Sequence, residues 1–216
     1  GDGDMTAALR RFEREAQATA SLRSPHTVAL YDYGAADDGT FYYVMELLEG
    51  FDLQALVERV GRIPPERAVH LLEQVCHSLA EAHAVGLVHR DIKPANVYVC
   101  RYGREWDFVK VLDFGLVKPV CDVGQTELDL TAPHGARGTP AFMSPEQALG
   151  RADVDARSDV YSLGVVAYEM ISGRRPFDAE SPMDALTQRL TRDPRSLGSA
   201  ASEVPPDLAL AGLALL

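Results

Sequence analysis

The sequence predicts an α+β fold in which a small part with strands precedes a mainly helical part. Two runs rich in β-branched and aromatic residues, Thr27–Gly34 and Thr40–Leu47, flank a polar turn and predict an antiparallel hairpin. Beyond them, helical patterns are found over residues 65–85, 156–171 and 182–190. Strands followed mostly by helices are typical of an α+β domain with a helical main body.

The elements of the first half follow from their end signals. Apolar positions recur helically over residues 5–22, and Pro25 ends that helix because proline disfavours helical geometry in the preceding residue. Asp52 is a suitable N-cap for a short helix that reaches about Val60. A longer helix is predicted over residues 65–85, since proline is tolerated in a first helical turn.

The second half combines short strands, a long loop and helices. Two short strands, Val97–Cys100 and Phe108–Leu112, are expected to flank a polar turn. Residues 116–138 show no periodicity and predict a long loop, which in a compact domain is usually functional or disordered. The almost uniformly apolar residues 156–171 predict a helix buried in the core. Further helical periodicity is found at residues 182–190 and 207–216.

Composition and charge narrow the classes of partner and location. The 216 residues carry a net charge of −11 without a basic patch, which argues against nucleic acid and anionic membranes as partners. We expect no membrane segment and no secretory signal, because no apolar run spans a bilayer and the first residues lack the signal pattern. The three cysteines lack metal-ligand spacing and disulfide density, so we expect reduced thiols and a cytoplasmic location. The sequence is also compatible with a membrane anchor outside these residues.

The strongest chemical signal is a polar stretch over residues 89–96, followed after a predicted hairpin by Asp113. Phosphoryl transfer requires an acceptor for the hydroxyl proton, a cation near the migrating group and oxygen ligands for Mg²⁺. Asp91 can supply the acceptor and Lys93 the cation. Asn96 and Asp113 can supply the oxygen ligands, because Mg²⁺ prefers hard oxygen donors and needs only one or two from the protein.

The order and spacing of these residues resemble the catalytic loop and the metal-binding motif of protein kinases. The loop reads His-Arg-Asp-Ile-Lys-Pro-Ala-Asn, and Asp113 opens an Asp-Phe-Gly triplet with Phe114 and Gly115. Lys93, two residues after Asp91, is typical of the serine/threonine class. The resemblance covers nearly the whole chain and is to the bacterial, eukaryotic-like type. It implies ATP as phosphoryl donor, Mg²⁺ as cofactor and a protein with serine or threonine hydroxyls as acceptor.

The resemblance also implies a protein-kinase-like bilobal fold, with departures at both ends. Residues 1–48 are expected to form a partial small lobe with helix C, a two-strand hairpin and the hinge, and residues 49–216 a helical large lobe that is incomplete at its end. Family members carry a glycine-rich loop and a strand lysine, but Lys93 is the first lysine of this chain. We therefore expect a catalytic domain cut short at both ends, weakly active or inactive as this polypeptide. A degenerate, non-catalytic homologue that binds proteins is the alternative.

Several further positions match nucleotide-binding elements of the family. Met45 matches the gatekeeper, and the carbonyl of Glu46 and the N–H of Leu48 match the hinge groups that meet adenine. Tyr98 falls at the floor of the adenine pocket, and a core aromatic is an equal alternative. Glu15 matches the helix-C glutamate that pairs with the ATP-binding lysine, with a solvated glutamate as the alternative.

Other matches concern the protein substrate, regulation and structure. Thr139 matches the residue that shapes the pocket after the phosphoacceptor, and Thr131 is a candidate phosphosite whose phosphate Arg90 would receive. A plain turn or loop threonine is the alternative at both positions. Glu146 belongs to a Ser-Pro-Glu triplet that matches the end of the activation segment. Asp159 matches a buried aspartate that anchors the backbone of the catalytic loop, and such a carboxylate must be hydrogen-bonded.

Overall fold

The first part of the fold is a helix followed by a hairpin. The structure, a computed structural model, describes residues 13–14, 16–36, 40–114, 141–177 and 181–200. Helix α1 comprises residues 16–20. Strands β1 (Leu30–Ala35) and β2 (Phe41–Met45) then pair antiparallel, with their outer ends at Leu30 and Met45 opposite each other. The predicted hairpin is confirmed, although both strands are shorter at their outer ends than the sequence pattern indicated.

A second sheet contains three antiparallel strands, β3 (Gly50–Asp52), β4 (Val97–Tyr102) and β5 (Glu105–Val111). Strand β3 is absent from the sequence prediction because its three residues are too few to show alternation. Gly50 allows this strand to pack closely, since a Cβ at that position would lie 2.1 Å from the carbonyl oxygen of Val99. The sheet places the predicted catalytic loop and the Asp113 segment at the two ends of one hairpin.

The turn between β4 and β5 is tighter than predicted. The polar residues 101–106 were expected to form the turn, but Tyr102 pairs with Glu105 across the ladder. Only Gly103 and Arg104 remain between them, and Gly103 has the left-handed φ of 60° that two-residue hairpin loops favour. The prediction was wrong here because the side chains that made the segment look like a turn lie on the exposed face of paired strands.

Three helices that were predicted from the sequence form the body of the large part. They are α2 (Leu53–Val60), α3 (Pro65–Ala84) and α5 (Ala156–Ser172). Asp52 caps α2 as predicted, because its carboxylate accepts a hydrogen bond from the N–H of Ala55 at 2.8 Å. Helix α5 begins at its N-cap Asp155 and ends at Gly173, whose φ of 69° is the left-handed geometry of a helix C-cap.

The core lies between α3, α5 and the three-stranded sheet. Val165, Val166 and Met170 of α5 are fully buried. They belong to one cluster with Leu71 of α3 and Val97 of β4. Burial of each such side chain stabilises the fold by about 1.5–3 kcal/mol. The helix over residues 156–171 is therefore the central packing element that the sequence predicted.

Three shorter helices complete the described part of the chain: α4 (Pro145–Ala148), α6 (Pro182–Thr191) and α7 (Leu197–Ala200). Helix α6 matches the predicted periodicity, whereas α4 and α7 have only four residues and were not predicted. The loop predicted over residues 116–138 and the helix predicted over 207–216 lie outside the described residues. Within the described ranges, no helix is both long and apolar enough to cross a membrane.

The segment before β1 is attached to the far edge of β5. The N–H of Val111 donates to the carbonyl of His26 at 2.8 Å, and the N–H of Val28 donates to the carbonyl of Val111 at 3.0 Å. These bonds join the hairpin part to the strand that leads directly into Asp113. The two parts of the fold therefore meet beside the candidate site.

Candidate active site

The loop after α3 brings three of the predicted catalytic residues into one hydrogen-bonded unit. Lys93 Nζ lies 2.8 Å from Asp91 Oδ2, and both side chains are largely shielded from solvent. A short 3₁₀ turn, Pro94–Asn96, then directs the Asn96 side chain back to the loop. Its Nδ2 donates to the backbone carbonyl of Asp91 at 2.8 Å. The loop therefore holds an ammonium and an amide that both contact Asp91 directly.

Asp113 is joined to this unit through the backbone. The N–H of Leu112 donates to the carbonyl of Asn96 at 2.9 Å, so the residue before Asp113 is bonded to the end of the loop. Asp113 itself has φ of 57°, a left-handed conformation that is uncommon outside glycine. Its side chain is exposed beside the loop. The β4–β5 hairpin thus returns the chain to the loop, as the sequence analysis required.

The oxygens of Asn96 and Asp113 fit a magnesium site. Because Asn96 Nδ2 is committed to Asp91, its Oδ1 is the atom left for a ligand. Among the described residues, no donor reaches Asn96 Oδ1 or the Asp113 carboxylate. Such unengaged hard oxygens are the donors that Mg²⁺ takes in proteins.

His89 holds the loop and the Asp113 segment together from inside the core. It is fully buried, and its Nε2 lies 2.8 Å from the carbonyl of Leu112. Its Nδ1 accepts a hydrogen bond from the N–H of Asp91 at 3.2 Å, so Nε2 carries the proton of a neutral ring. The ring also packs on Phe114, with centroids 4.7 Å apart. Burial lowers the pKa of His89, against the raising influence of Asp159 and the bond to Leu112.

The neutral state of His89 predicts loss of stability in mild acid. The pKa of His89 is lower in the folded protein than in the unfolded chain. Below the ordinary histidine pKa of about 6.5, the unfolded chain therefore binds a proton at this residue that the native protein does not bind. We expect the free energy of unfolding to fall by up to about 1.4 kcal/mol per pH unit in that window. Urea unfolding between pH 7.5 and 5.5 measures this slope. His89→Gln should show a smaller slope, and an unchanged slope would mean that His89 is not the group responsible.

Asp159 of α5 binds the backbone of the same loop. Its Oδ2 accepts the N–H of His89 at 2.8 Å, and its Oδ1 accepts the N–H of Arg90 at 2.7 Å. Oδ2 also lies 2.8 Å from His83 Nε2 of α3. The carboxylate is 1% exposed and every one of these partners is a donor, as burial of a charge requires. Arg90 has φ of 65°, so Asp159 holds a strained backbone directly before Asp91.

Glu146 lies at the start of α4 beside α5. Its carboxylate accepts a hydrogen bond from the hydroxyl of Ser158, one residue before Asp159. Partial burial would raise the pKa of Glu146, but hydrogen bonds to the carboxylate, with that of Ser158 foremost, bring it below its ordinary value. Within the described part of the chain, Glu146 forms no ion pair. Glu146 is therefore a hydrogen-bonded anion that contacts the first turn of α5.

The adenine-binding candidates lie along the segment after β2. Met45 is partly exposed and Leu48 is half-buried. The N–H of Glu46 donates to Ala29, while within the described residues its carbonyl and the N–H of Leu48 have no hydrogen-bond partner. Tyr98 lies on β4, and its hydroxyl donates to the carbonyl of Gly50 at 2.9 Å. Two backbone groups of opposite polarity thus remain available side by side.

The remaining predicted residues cannot be placed. Glu15, Gly115, Thr131 and Thr139 lie outside the described residues. The Arg90 side chain is exposed, but its pairing with a phosphate at Thr131 stays a prediction.

Sequence reasoning missed several residues that the structure brings to the site. Lys110 of β5 is 4% exposed, and its Nζ lies 2.7 Å from Glu46 Oε1 in a buried ion pair. Gln147 forms a capping box with Ser144 and also donates to the carbonyl of Arg90. The serine followed three residues later by glutamine is a known helix-start signal and could have revealed α4. No local pattern could have revealed the contacts of His83 with Asp159 or of Lys110 with Glu46.

Comparison with known proteins agrees with this geometry. A model of the protein kinase domain matches residues 3–206. Serine/threonine-protein kinase pkn3 of Myxococcus xanthus is 40% identical over 186 residues, which are 86% of this chain and 34% of that protein. Serine/threonine-protein kinase PknB of Mycolicibacterium smegmatis is 40% identical over 201 residues, 92% of this chain and 31% of that protein. The chain thus spans about a third of the length of these relatives.

Solved structures give the same assignment at the level of the fold. A double mutant of the Mycobacterium tuberculosis PknI kinase domain superposes with a TM-score of 0.69 at 26% identity, covering 97% of this chain and 69% of that chain. A single mutant of the same domain gives a TM-score of 0.67 at 28% identity, covering 98% and 71%. The predicted α+β, protein-kinase-like fold is therefore confirmed. The chain belongs to the protein kinase domain family, as a domain of the bacterial serine/threonine type.

Proposed function

We propose that this domain transfers the γ-phosphoryl group of ATP to serine or threonine hydroxyls of proteins. The observation that carries the proposal is the hydrogen-bonded unit of Asp91, Lys93 and Asn96, attached through Leu112 to Asp113. The non-catalytic alternative gives no reason for all four side chains to be present together.

Asp91 is the proposed acceptor of the substrate hydroxyl proton. Its carboxylate is shielded and lies 2.8 Å from the ammonium of Lys93, and a carboxylate held in place in this way is a suitable general base. Lys93 also places a positive charge where the migrating phosphoryl group gathers negative charge. Asn96 Nδ2, 3.3 Å from Asp91 Oδ2, limits the rotation of the base. Positioning of this kind supplies much of the catalysis in phosphoryl transfer.

Asn96 and Asp113 are the proposed ligands of Mg²⁺, which when bound neutralises charge on the phosphate oxygens of ATP. The two residues flank the β4–β5 hairpin at its open end, where Val97 pairs with Val111, so the sheet holds them near each other. Phe114, which directly follows Asp113, is fully buried against His89 and so fixes the backbone at this point. We propose Gly115 as the third member of that motif.

The adenine ring is proposed to lie against the segment after β2. The Glu46 carbonyl can accept from the adenine amino group, and the Leu48 N–H can donate to a ring nitrogen. Met45 and Tyr98 are proposed to line this pocket. Glu46 is held in place from the other side, because its carboxylate accepts from the N–H of Ala29 at 2.7 Å as well as from Lys110.

The remaining roles are proposals that the family suggests, and for Glu146 and Asp159 their hydrogen bonds support them as well. Glu15 would pair with an ATP-binding lysine, Thr139 would shape the pocket after the phosphoacceptor, and phosphate on Thr131 would meet Arg90. Glu146 and Asp159 are proposed to support the loop from α4 and α5. The division into residues 1–48 and 49–216 and a cytoplasmic location are likewise proposed, with ATP and a protein acceptor as partners.

A metal-dependence experiment tests the proposed ligands without requiring turnover. In the full-length protein, Asp113→Asn should weaken Mg²⁺-dependent ATP binding by at least about 10-fold, because it removes a charged oxygen ligand. ATP binding in excess chelator should stay at the wild-type level. Isothermal titration calorimetry with and without Mg²⁺ measures both quantities.

The matched control is Asp193→Asn, which removes an exposed carboxylate between α6 and α7. It should leave both affinities unchanged. Equal Mg²⁺ dependence in wild type and Asp113→Asn would show that Asp113 does not bind the metal.

A further inference from the structure

Gln147 uses both ends of its side-chain amide. Its Oε1 accepts the N–H of Ser144 at 3.0 Å, which completes the capping box of α4 together with the bond from the N–H of Gln147 to the Ser144 hydroxyl. Its Nε2 donates to the backbone carbonyl of Arg90 at 2.7 Å. One side chain therefore connects the start of α4 to the residue directly before Asp91.

The carbonyl that Gln147 binds belongs to the strained residue of the loop. Arg90 has φ of 65°, a conformation that a side chain with a Cβ disfavours. Its N–H is held by Asp159 from α5, and its C=O is held by Gln147 from α4. The carbonyl that Gln147 binds belongs to the Arg90–Asp91 peptide group. Rotation of this peptide group would move the Asp91 carboxylate. Two helices thus hold opposite sides of a single residue.

We propose that Gln147 is a positioning residue for Asp91. It donates to the Arg90 carbonyl and keeps the left-handed turn closed, which sets the direction of the Asp91 side chain. Asp159 alone cannot do this, because its bonds are to the N–H groups of His89 and Arg90. The following peptide group is bound at its N–H end, where the N–H of Asp91 donates to His89 Nδ1, and at its carbonyl end by Gln147. The inference rests on the proposed role of Asp91 in phosphoryl transfer. The proposed contact comes from α4 and reaches the loop at Arg90, not at the proposed metal ligands.

Two substitutions separate the helix cap from the loop contact. Gln147→Glu keeps an oxygen for the Ser144 N–H and keeps the shape of the side chain, but it places a second oxygen against the Arg90 carbonyl. Gln147→Lys keeps a donor for that carbonyl and loses the acceptor for Ser144. If the contact with the Arg90 carbonyl sets the activity, Gln147→Glu should lose activity and Gln147→Lys should keep it.

The kinetic experiment uses the full-length protein with ATP and a general serine- and threonine-containing acceptor protein. Gln147→Glu should lower kcat by about 10-fold, since small displacements of a catalytic group cost rate, and the KM for ATP should stay within about twofold. Gln147→Lys should keep most of the wild-type kcat. Gln54→Glu, the same substitution on exposed α2, should leave kcat unchanged. Wild-type kcat in Gln147→Glu, or equal losses in Gln147→Glu and Gln147→Lys, would overturn the inference.

Amide hydrogen exchange supplies a readout that needs no turnover. The N–H groups of Arg90 and Asp91 should exchange about 10-fold faster in Gln147→Glu than in wild type, and Gln147→Lys should exchange like wild type. Unchanged exchange in Gln147→Glu would overturn the inference whether or not the protein is active. Absence of phosphoryl transfer in the wild type would instead contradict the proposed function, and exchange would still decide the role of Gln147.

Discussion

Asp91→Asn lowers the rate of phosphoryl transfer by about 10²–10⁴-fold, the loss expected when a general base is removed. Asparagine keeps the size of the side chain and an oxygen for Lys93 Nζ, which lies 2.8 Å from the Asp91 carboxylate in the native protein. It cannot take the proton of the substrate hydroxyl. The chemical step should therefore fail while the loop stays folded. Initial rates of ³²P transfer from γ-labelled ATP by the full-length protein measure the effect.

Nucleotide binding is the control for Asp91→Asn. Asp91 is proposed to meet the acceptor hydroxyl and not ATP, so the dissociation constant for Mg·ATP should stay within about twofold of wild type. A variant that keeps more than a tenth of the wild-type rate would show that another group accepts the proton. A variant that loses nucleotide binding as well would place Asp91 in the nucleotide site.

Asp159→Ala lowers the free energy of unfolding by about 3–5 kcal/mol, the range found when one partner of a buried charged contact is removed. The substitution leaves the buried N–H of His89 and that of Arg90 without an acceptor, and it leaves His83 without its carboxylate. Each unsatisfied buried donor costs about 1–3 kcal/mol. Urea unfolding at pH 7.5 measures the loss, and the strained turn before Asp91 should open in the folded fraction.

Helix α5 offers its own control in Asp155→Ala. Asp155 is the N-cap of the same helix and half of its side chain is exposed, so its removal should cost much less stability than removal of Asp159. Both substitutions delete an aspartate near one helix start, but only Asp159 contacts the loop. Equal losses of stability in the two variants would refute the view that Asp159 anchors the catalytic loop.

The parts of the fold with strong periodicity could be predicted from the sequence. The run of apolar residues around Val165 predicts a buried helix, and the β-branched and aromatic runs on either side of a polar turn predict the hairpin of β1 and β2. Strand β3 could not be predicted, because its three residues are specified by pairing with β4 and by the space that Gly50 leaves for Val99. Short elements of this kind depend on tertiary contacts that lie far away in the sequence.

The same distinction applies to the site. The spacing of Asp91, Lys93 and Asn96 is local, so the sequence pattern identifies them together with the chemistry they can perform. Gln147 is 57 positions from Arg90, and His83 is 76 positions from Asp159. Their roles depend on how α3, α4 and α5 pack around the loop. Sequence reasoning therefore finds the groups proposed to react and, through the family resemblance, Asp159, while the structure is needed to find Gln147 and His83.

The most direct test of the proposed function is to identify the amino acid that receives phosphate. The full-length protein is incubated with Mg²⁺, γ-labelled ATP and a general acceptor protein, and the labelled acceptor is hydrolysed for phosphoamino acid analysis. The account predicts phosphoserine and phosphothreonine in the wild type and neither in Asp91→Asn. Tight Mg·ATP binding without any labelled serine or threonine would contradict phosphoryl transfer and make this domain a nucleotide-binding module.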